Sequence, residues 1–202
     1  MIPAVYLVDD DEAVRRAVSD LLEADGLVVR SFAAAEELLA GWDSNWRGCI
    51  VLDLRLPGLD GLQTQRALHA KGVRLPIIFL TGHGDVQQSV RAMKAGAFDF
   101  LQKPVSADVL VPRVFAAIGA DGIRAAGELE RTRAAERLQR LTAREAQVLA
   151  HLLDGKANKE VASALGISPR TAEVHRRNIL QKTGVSGLLE LGVMTRRVND
   201  HE

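Results

Sequence analysis

The sequence contains one cysteine, few aromatic residues and no long uninterrupted apolar run. A single cysteine excludes an internal disulfide, and we expect Cys49 to be a buried thiol because it opens an apolar segment. No apolar run approaches the length that crosses a membrane. The first residues, MIPAVYLVDDD, lack the basic start of a signal peptide. These absences predict a cytoplasmic protein without disulfides or membrane spans.

The chain as a whole also has no excess of either charge, with 26 basic and 26 acidic residues. The charges are nevertheless unevenly distributed. Residues 1–118 contain 12 basic and 15 acidic residues, whereas residues 119–202 contain 14 and 11. Within the second part, residues 155–197 contain 8 basic and 3 acidic residues. This asymmetry predicts an acidic first domain and a second part that faces nucleic acid.

Apolar runs and helical patterns alternate through residues 1–118. Residues 4–8 form a continuous apolar run, as expected of a strand buried on both faces, and residues 27–32, 49–52, 76–80 and 98–101 are also predicted to be strands. Helical spacing follows each run, and glycines end several of the helices. Five strand–helix units in this length predict an α/β domain with a doubly wound, five-stranded parallel sheet. Pro112 predicts a kink or a late start in the fifth helix, because proline removes a hydrogen bond there.

The rest of the chain has helix signals and no strand signal. Residues 119–140 are interpreted as a linker, either helical or flexible, and residues 141–202 as an all-α domain of four short helices. Thr142 and Glu145 form a T-x-x-E capping box. Further helix starts are indicated at Asn158, at Ser168 before Pro169, and at Ser186.

Five polar residues close apolar runs of the predicted sheet. These residues are Asp9, Asp10, Asp53, Thr81 and Lys103. Because the carboxyl ends of parallel strands lie at one edge, where ligands bind in such sheets, we expect these side chains to converge. Each residue taken singly also fits a plain structural role, such as helix capping or a solvated lysine. The complete set, in this order at strand ends, favours a site.

Clustered carboxylates repel one another unless a cation joins them. Mg²⁺ prefers oxygen ligands and keeps several waters, so Asp10 and Asp53 could bind it directly while Asp9 holds a water. Asp53 is then a candidate carboxylate nucleophile that forms an acyl phosphate. Thr81 can donate a hydrogen bond to a phosphoryl oxygen, and Lys103 supplies a positive charge to the same group.

Two parts of the sequence resemble known families. Residues 1–118 resemble the receiver domain of two-component response regulators, which is flavodoxin-like, through LVDDDEAVR, VLDLRLPGLDG, FLTGHGD and AMKAGAFDFLQKP. Residues 141–185 resemble the LuxR-type helix-turn-helix, with LTAREAQVLAHLLDGKANKEVASALGISPRTAEVHRRNILQKTGV. Together they resemble FixJ-like transcriptional regulators of the NarL/FixJ class.

The resemblance implies roles for the polar edge of the sheet. Asp53 would accept a phosphoryl group from a sensor histidine kinase. Asp9, Asp10 and the backbone carbonyl of Arg55 would serve Mg²⁺ together with Asp53. Thr81 and Lys103 would contact the phosphoryl group.

The resemblance also implies a conformational switch and a partner copy. Phe100 would be the aromatic switch residue, and the Lys103–Pro104 peptide would be cis. Phosphorylation would produce a homodimer through the face formed by residues 85–118, through residues 187–197, or through both. Candidate cross-pairing residues on the first face are Arg91, Lys94, Asp99 and Asp108.

The helix predicted over residues 168–183 is the candidate DNA-reading element. Matching to the family pattern places Glu173, Val174 and Arg177 at base-reading positions, and Thr171 or Val174 could touch a thymine methyl. Many relatives have lysine where this chain has Glu173, so its sequence preference is expected to differ. Residues expected to contact phosphates on double-stranded DNA are Lys156, Lys159, Arg170, Arg176 and Lys182. An ordinary solvated basic face is the alternative interpretation.

Several other interpretations remain open on sequence grounds. The GHGD segment at residues 82–85 is interpreted as a glycine-hinged loop before a helix rather than as a catalytic site at His83. The chain is expected not to be an enzyme beyond the chemistry of Asp53 itself. Alternatives are a phosphorylation-independent DNA-binding regulator, an aspartyl phosphohydrolase and a ligand-sensing LuxR-type regulator.

Overall fold

The computed structural model describes residues 2–82 and 86–199, without the side chains of residues 86–89. The chain divides into two compact units, residues 1–125 and 126–202. Within the described residues, no helix has both the length and the apolar character needed to cross a membrane.

The first unit is an α/β fold around one parallel sheet, as predicted. Its elements are β1 (Ala4–Val8), α1 (Glu12–Ala24), β2 (Val28–Phe32), α2 (Ala35–Gly41), β3 (Gly48–Asp53), α3 (Gly61–Ala70), β4 (Ile77–Thr81), α4 (Val86–Lys94), β5 (Asp99–Gln102) and α5 (Ala107–Gln139). The strand order is β2-β1-β3-β4-β5, and every pairing is parallel. The order reverses between β1 and β3, which places a crevice at the carboxyl edge of the sheet.

Alternate residues of the strands build two apolar layers. On one face, Tyr6, Leu52 and Phe79 pack with α2 and α3. On the other, strand residues such as Leu7 share an apolar layer with Leu22 of α1 and Leu110 of α5. Because the central strands are buried on both faces, they require continuous apolar runs rather than alternating ones.

The last helix of the first unit continues into the second unit. Helix α5 spans Ala107–Gln139, so residues 119–139 are helical. It begins before Pro112, which lies inside the helix, so the late start, one of the two effects expected of this proline, does not occur. The division between units falls within this helix, after Ala125, whereas the sequence-based division used residues 118 and 140.

A buried carboxylate of α5 anchors the start of β3. The Gly48 amide donates to Oδ2 of Asp121 over 3.0 Å, and Asp121 is 2% exposed. Arg124 pairs with the other carboxylate oxygen. Neighbouring Cys49 is a buried free thiol, as predicted, and burial, with a smaller contribution from Asp121, raises its pKa to about 12. This thiol therefore stays protonated near neutral pH.

In the described part of the second unit, up to residue 199, four short helices follow the end of α5, as predicted. They are α6 (Ala143–Leu153), α7 (Asn158–Leu165), α8 (Pro169–Thr183) and α9 (Leu188–Asn199). Thr142 caps α6, and Ser168 caps α8 with Pro169 at its first position. Asn158 is not a cap, because α7 starts one residue earlier than expected, with Ala157 as its N-cap. Ser186 lies outside α9 and donates to Glu190.

The capping box of α6 extends into an ion pair with α8. Glu145 is 3% exposed, accepts from the Thr142 amide over 2.8 Å and accepts from Lys182 Nζ over 2.6 Å. Burial by itself raises the pKa of the Glu145 carboxyl, but these hydrogen bonds outweigh burial and lower it below its usual value. One carboxylate thus caps α6 and ties it to the end of α8.

We expect Gly48→Ala to destabilise the first unit strongly. Gly48 has a φ of +123°, and an added Cβ would lie 1.9 Å from the Ala4 carbonyl oxygen, which is backbone and cannot move aside. The expected loss in the free energy of unfolding exceeds about 3 kcal/mol. Gly72→Ala is the matched control, with a φ of +76° and open space around the Cβ, and should cost about 1 to 2 kcal/mol. Equal losses in denaturant melts would contradict this account.

We also expect Glu145→Gln to destabilise the second unit by about 2 kcal/mol at pH 7, because the charged hydrogen bond to Lys182 is lost. The folded-state pKa of Glu145 is lowered, so this contribution is present above its usual value of 4.5 and disappears as the pH falls through the lower folded value. Calorimetric melts of both proteins from pH 7 to pH 3 measure the difference.

The difference in stability between wild type and Glu145→Gln should therefore shrink on acidification. Glu160→Gln is the control, because Glu160 is exposed and its role is local, accepting the Ala157 amide three residues earlier in the chain. It should cost less than about 1 kcal/mol. A difference for Glu145 that stays constant down to pH 3 would exclude the ion pair as its source.

Candidate functional site

Four strands bring the predicted polar residues to one edge of the sheet. Asp9 and Asp10 follow β1, Asp53 ends β3 and Thr81 ends β4. Lys103 follows β5, and its amide donates to the Thr81 carbonyl over 2.7 Å, which continues the pairing of β4 with β5. The convergence follows from parallel pairing, since all these residues lie at carboxyl ends.

Lys103 joins two carboxylates, one directly after β1 and one at the end of β3. Its Nζ lies 2.5 Å from Asp9 Oδ2 and 2.6 Å from Asp53 Oδ2. Asp9 is fully buried and Asp53 is 7% exposed. Burial raises the pKa of Asp9 above its usual value, although the Lys103 hydrogen bond opposes the rise. Burial alone would lower the pKa of Lys103, but its bonds to Asp53 and Asp9 raise it. The pocket therefore already accommodates one cation between two carboxylates.

Three carboxylates of this edge could together hold a metal ion. One oxygen from each of Asp9, Asp10 and Asp53 lies within 4.8 Å of the others. Asp10 is exposed, so the group opens to solvent on one side. An oxygen-only, partly hydrated site suits Mg²⁺, which retains several waters. Arg55 is exposed, and its amide donates to Asp53 Oδ1 over 3.1 Å, so its backbone lies next to the pocket.

The connection between β1 and α1 is held by a residue that the sequence analysis did not single out. Nη1 of Arg15 donates to the carbonyls of Asp9 and Asp10, over 2.7 and 2.9 Å. The Asp11 side chain caps α1. The backbone amide of Asp11 donates to Asp9 Oδ1 over 3.1 Å. Adjacent Arg15 and Arg16 look alike in the sequence, so no local signal identified the first.

A second missed residue tethers the connection after Asp53. Glu36 in α2 accepts from the Leu59 amide over 3.2 Å through Oε1. The same oxygen would lie 2.7 Å from a Cβ at Gly58, so the connection passes close to this carboxylate. The contact spans 23 residues of sequence and has no local signature.

The remaining residues of the pocket have defined surroundings. Thr81 is buried, and its hydroxyl donates to the Gly82 carbonyl over 3.2 Å. Phe100 is half-buried and packs against the apolar layer that contains Phe79. The Lys103–Pro104 peptide is cis, as the resemblance implied. His83 lies outside the described residues.

Helix α8 presents one polar face away from the core of the second unit. Ala172, Ile179 and Thr183 are buried. On the exposed side, one face at helical spacing consists of Arg170, Glu173, Val174 and Arg177. All three predicted base-reading residues, Glu173, Val174 and Arg177, thus lie on an exposed face together with Arg170. The Thr171 amide bonds to the capping Ser168, and the two hydroxyls are 2.8 Å apart.

The other residues predicted to contact DNA differ in their exposure and in whether their charges are paired within the chain. Lys159 is exposed in the first turn of α7, and Arg176 is half-buried. Lys156 Nζ lies 2.9 Å from His151 Nδ1. Lys182 is committed to buried Glu145, which makes it a structural residue of this unit as well as a predicted phosphate contact.

Comparisons with known families agree with these two units. Residues 5–115 match the response regulator receiver domain. Residues 139–195 match the bacterial regulatory proteins of the LuxR family. The two matches cover most of the chain and follow the order of the two units.

Two transcriptional regulatory proteins are similar to almost the whole chain. The chain is 43% identical over 187 residues to the transcriptional regulatory protein FixJ of Azorhizobium caulinodans, covering 93% of this chain and 89% of that protein. It is 42% identical over 193 residues to the C4-dicarboxylate transport transcriptional regulatory protein DctR of Rhodobacter capsulatus, covering 95% and 98%.

A solved structure extends the agreement to the fold. The response regulator StyR superimposes with a TM-score of 0.88 at 37% identity, covering 98% of this chain and all of that one. The predicted family is therefore confirmed. The chain belongs to the NarL/FixJ-type response regulators, and is a two-component transcriptional regulator with a receiver domain and a LuxR-type DNA-binding domain.

Proposed function

We propose that a sensor histidine kinase phosphorylates Asp53 with the help of Mg²⁺, and that this controls binding of the second unit to promoter DNA. The observation that carries the proposal is the shared hydrogen bonding of Lys103 to Asp9 and Asp53. It brings a nucleophile, a cation and the acidic ligands to the crevice at the sheet edge. Binding to the bacterial chromosome implies a cytoplasmic location.

The acidic group fits Mg²⁺ in the number and type of its oxygens. Asp10 and Asp53 would bind it directly, Asp9 would hold one of its waters, and the Arg55 carbonyl would complete the protein ligands. The bound ion would screen the charge of the incoming phosphoryl oxygens. Asp9 and Asp53 are buried, so their own repulsion also favours a cation there.

Transfer begins at a carboxylate that the pocket already orients. The Arg55 amide and Lys103 each hold one oxygen of Asp53. An Asp53 oxygen would form a bond to phosphorus while the bond from phosphorus to the kinase histidine nitrogen breaks, and the electron pair leaves with that nitrogen. Lys103 would then pair with a phosphoryl oxygen, and the Thr81 hydroxyl would turn from the Gly82 carbonyl to donate to another.

The same rearrangement would act as the switch. Movement of Thr81 would open space toward β5, where Phe100 would rotate inward from its half-buried position. The face of residues 85–118 would then pair two copies, and residues 187–197 would form a further contact on DNA. Asp99 is already paired with Arg113 over 3.2 Å within the chain, so a cross-pair at Asp99 would have to replace this contact.

DNA binding is assigned to the exposed face of α8. Its first half would enter the major groove, where Glu173, Val174 and Arg177 would read base edges. Glu173 favours a cytosine amino group as its partner. Phosphates would be contacted mainly by Lys159, Arg170 and Arg176. A homodimer would place two such helices on two half-sites, which raises affinity through effective concentration.

Chemistry in this chain would be limited to phosphorylation and dephosphorylation of Asp53. A phosphohydrolase needs a substrate-binding element, and the chain beyond residue 125 forms helices of a DNA-binding unit instead. Turnover of a generic phosphate ester would distinguish the two. A phosphorylation-independent regulator is the second candidate function, and phosphoryl uptake by the wild-type chain distinguishes it from the proposal.

Acetyl phosphate with Mg²⁺ should add one phosphoryl group to the wild-type chain and none to Asp53→Asn, because the amide is not a nucleophile. Intact-protein mass spectrometry measures the addition. Asp20→Asn is the control. Asp20 is an exposed residue of α1 and is not one of the pocket residues, so this variant should be phosphorylated like wild type.

Phosphorylated wild type should also elute as a dimer with DNA, while Asp53→Asn stays monomeric. Wild type that takes up no phosphoryl group although folded would favour the phosphorylation-independent regulator. A phosphorylated chain that remains monomeric on DNA would refute the dimer part of the proposal.

Arg177→Ala should weaken binding to the preferred DNA sequence by about 1 to 3 kcal/mol and leave non-specific binding nearly unchanged, because a base contact is lost. Lys159→Ala should weaken both and reduce the salt dependence by about one phosphate contact. The preferred sequence is first selected from random duplexes, and titrations at several salt concentrations give both quantities. Identical effects of the two variants would contradict the division into base and phosphate contacts.

A further inference from the structure

We propose that Arg15 is a positioning residue for the Mg²⁺ site, which it prepares by holding the backbone that carries Asp9 and Asp10. The inference rests on the proposed phosphorylation of Asp53 with Mg²⁺. It adds a residue that lies on α1 and supplies no ligand to the ion.

The geometry is specific to the connection between β1 and α1. The sheet pairing of β1 ends at Val8, and α1 begins at Glu12. The carbonyls of Asp9 and Asp10 lie between these elements, and Arg15 Nη1 donates to both, over 2.7 and 2.9 Å. One nitrogen with two N–H groups thus binds consecutive carbonyls and restrains the peptide between them.

This restraint matters most for Asp10. The Asp9 carboxylate is already held on one oxygen by the Asp11 amide and on the other by Lys103. The Asp10 carboxylate is exposed, and within the described residues no side-chain hydrogen bond or ion pair of Asp10 is seen. Its position relative to Asp53 therefore depends on its backbone, which Arg15 holds.

The neighbouring arginine provides a matched control. Arg16 pairs with Glu12 on the surface of α1, and the side chains are 75% and 63% exposed. Arg15 is half-buried. The two residues have the same charge and adjacent positions in one helix, but only Arg15 contacts the acidic connection.

Electrostatics and positioning predict opposite effects on Mg²⁺ affinity. If Arg15 acted only as a nearby positive charge, its removal would strengthen cation binding at the carboxylates. If Arg15 positions the connection, its removal would weaken Mg²⁺ binding, because the backbone of Asp10 would no longer be held by a hydrogen bond from Arg15. The sign of the change therefore separates the two roles.

The experiment is calorimetric titration of the full chain with MgCl₂, for wild type, Arg15→Met, Arg15→Lys and Arg16→Met. Loss of a residue that orients metal ligands weakens metal binding about tenfold or more, so the Kd of Arg15→Met should rise by at least about tenfold. Arg15→Lys should lie between Arg15→Met and wild type, since it retains charge and donors with a different shape. Arg16→Met should stay within about twofold of wild type.

Phosphorylation by acetyl phosphate gives a second readout. In Arg15→Met the Mg²⁺ concentration for half-maximal rate should rise in parallel with the Kd, while the rate at saturating Mg²⁺ stays near that of wild type. A lower rate at saturation with unchanged Mg²⁺ affinity would overturn the positioning role. Unchanged or tighter Mg²⁺ binding in Arg15→Met would overturn it as well.

Folding and the proposed function are checked separately. Circular dichroism melts show whether Arg15→Met folds. If Arg15→Met does not fold, Arg15→Lys is used instead. A Mg²⁺ affinity of folded Arg15→Lys equal to that of wild type would then refute the inference. Wild type that binds Mg²⁺ but accepts no phosphoryl group would refute the proposed function, while the effect of Arg15 on Mg²⁺ affinity would still be measured.

Discussion

One ammonium group lies between buried carboxylates from two strands, and the arrangement of the first unit depends on it. Asp9 and Asp53 have little or no exposure to water, so their mutual repulsion is poorly screened. Lys103 offsets the repulsion through a hydrogen bond to each. The position of Lys103 depends on the pairing of β4 with β5. The positions of Asp9 and Asp53 depend in the same way on the pairing of β1 with β3. The charges in the pocket can therefore offset one another only when the strands of the sheet pair in this register.

The connections around the pocket are held by side chains of neighbouring helices rather than by the strands. Arg15 holds the connection after β1, and Glu36 holds the connection after β3. Connections at the carboxyl edge must present polar groups to a ligand, so they cannot be stabilised by apolar burial alone. Charged side chains that bind their backbone provide order without filling the crevice. The carboxyl edge of the sheet is thus ordered by side chains of α1 and α2 that bind the backbone of its connections.

The second unit divides its basic residues between structure and surface. Lys182 is used to neutralise buried Glu145, which caps α6, and Arg144 donates to the Leu165 carbonyl. The face of α8 with Arg170 and Arg177 is left without such internal partners among the described residues. The number of basic residues in residues 155–197 is therefore larger than the number whose charge is available to contact DNA, because Lys182 pairs with Glu145. The buried face of α8 and the caps at Thr142 and Ser168 hold that exposed face in place.

The amino-acid sequence alone specified the five strands, the four short helices, the order of the polar residues at the sheet edge and the family. These features depend on local patterns, namely continuous apolar runs, caps and motif spacing, which neighbouring residues specify. Only the tertiary structure distinguished Arg15 from Arg16, paired Lys182 with Glu145 and placed Asp121 against Gly48. It also moved the N-cap of α7 from Asn158 to Ala157 and carried α5 through Pro112 to Gln139. Pairing over long sequence separations depends on which side chains meet in space, and local pattern does not contain that information.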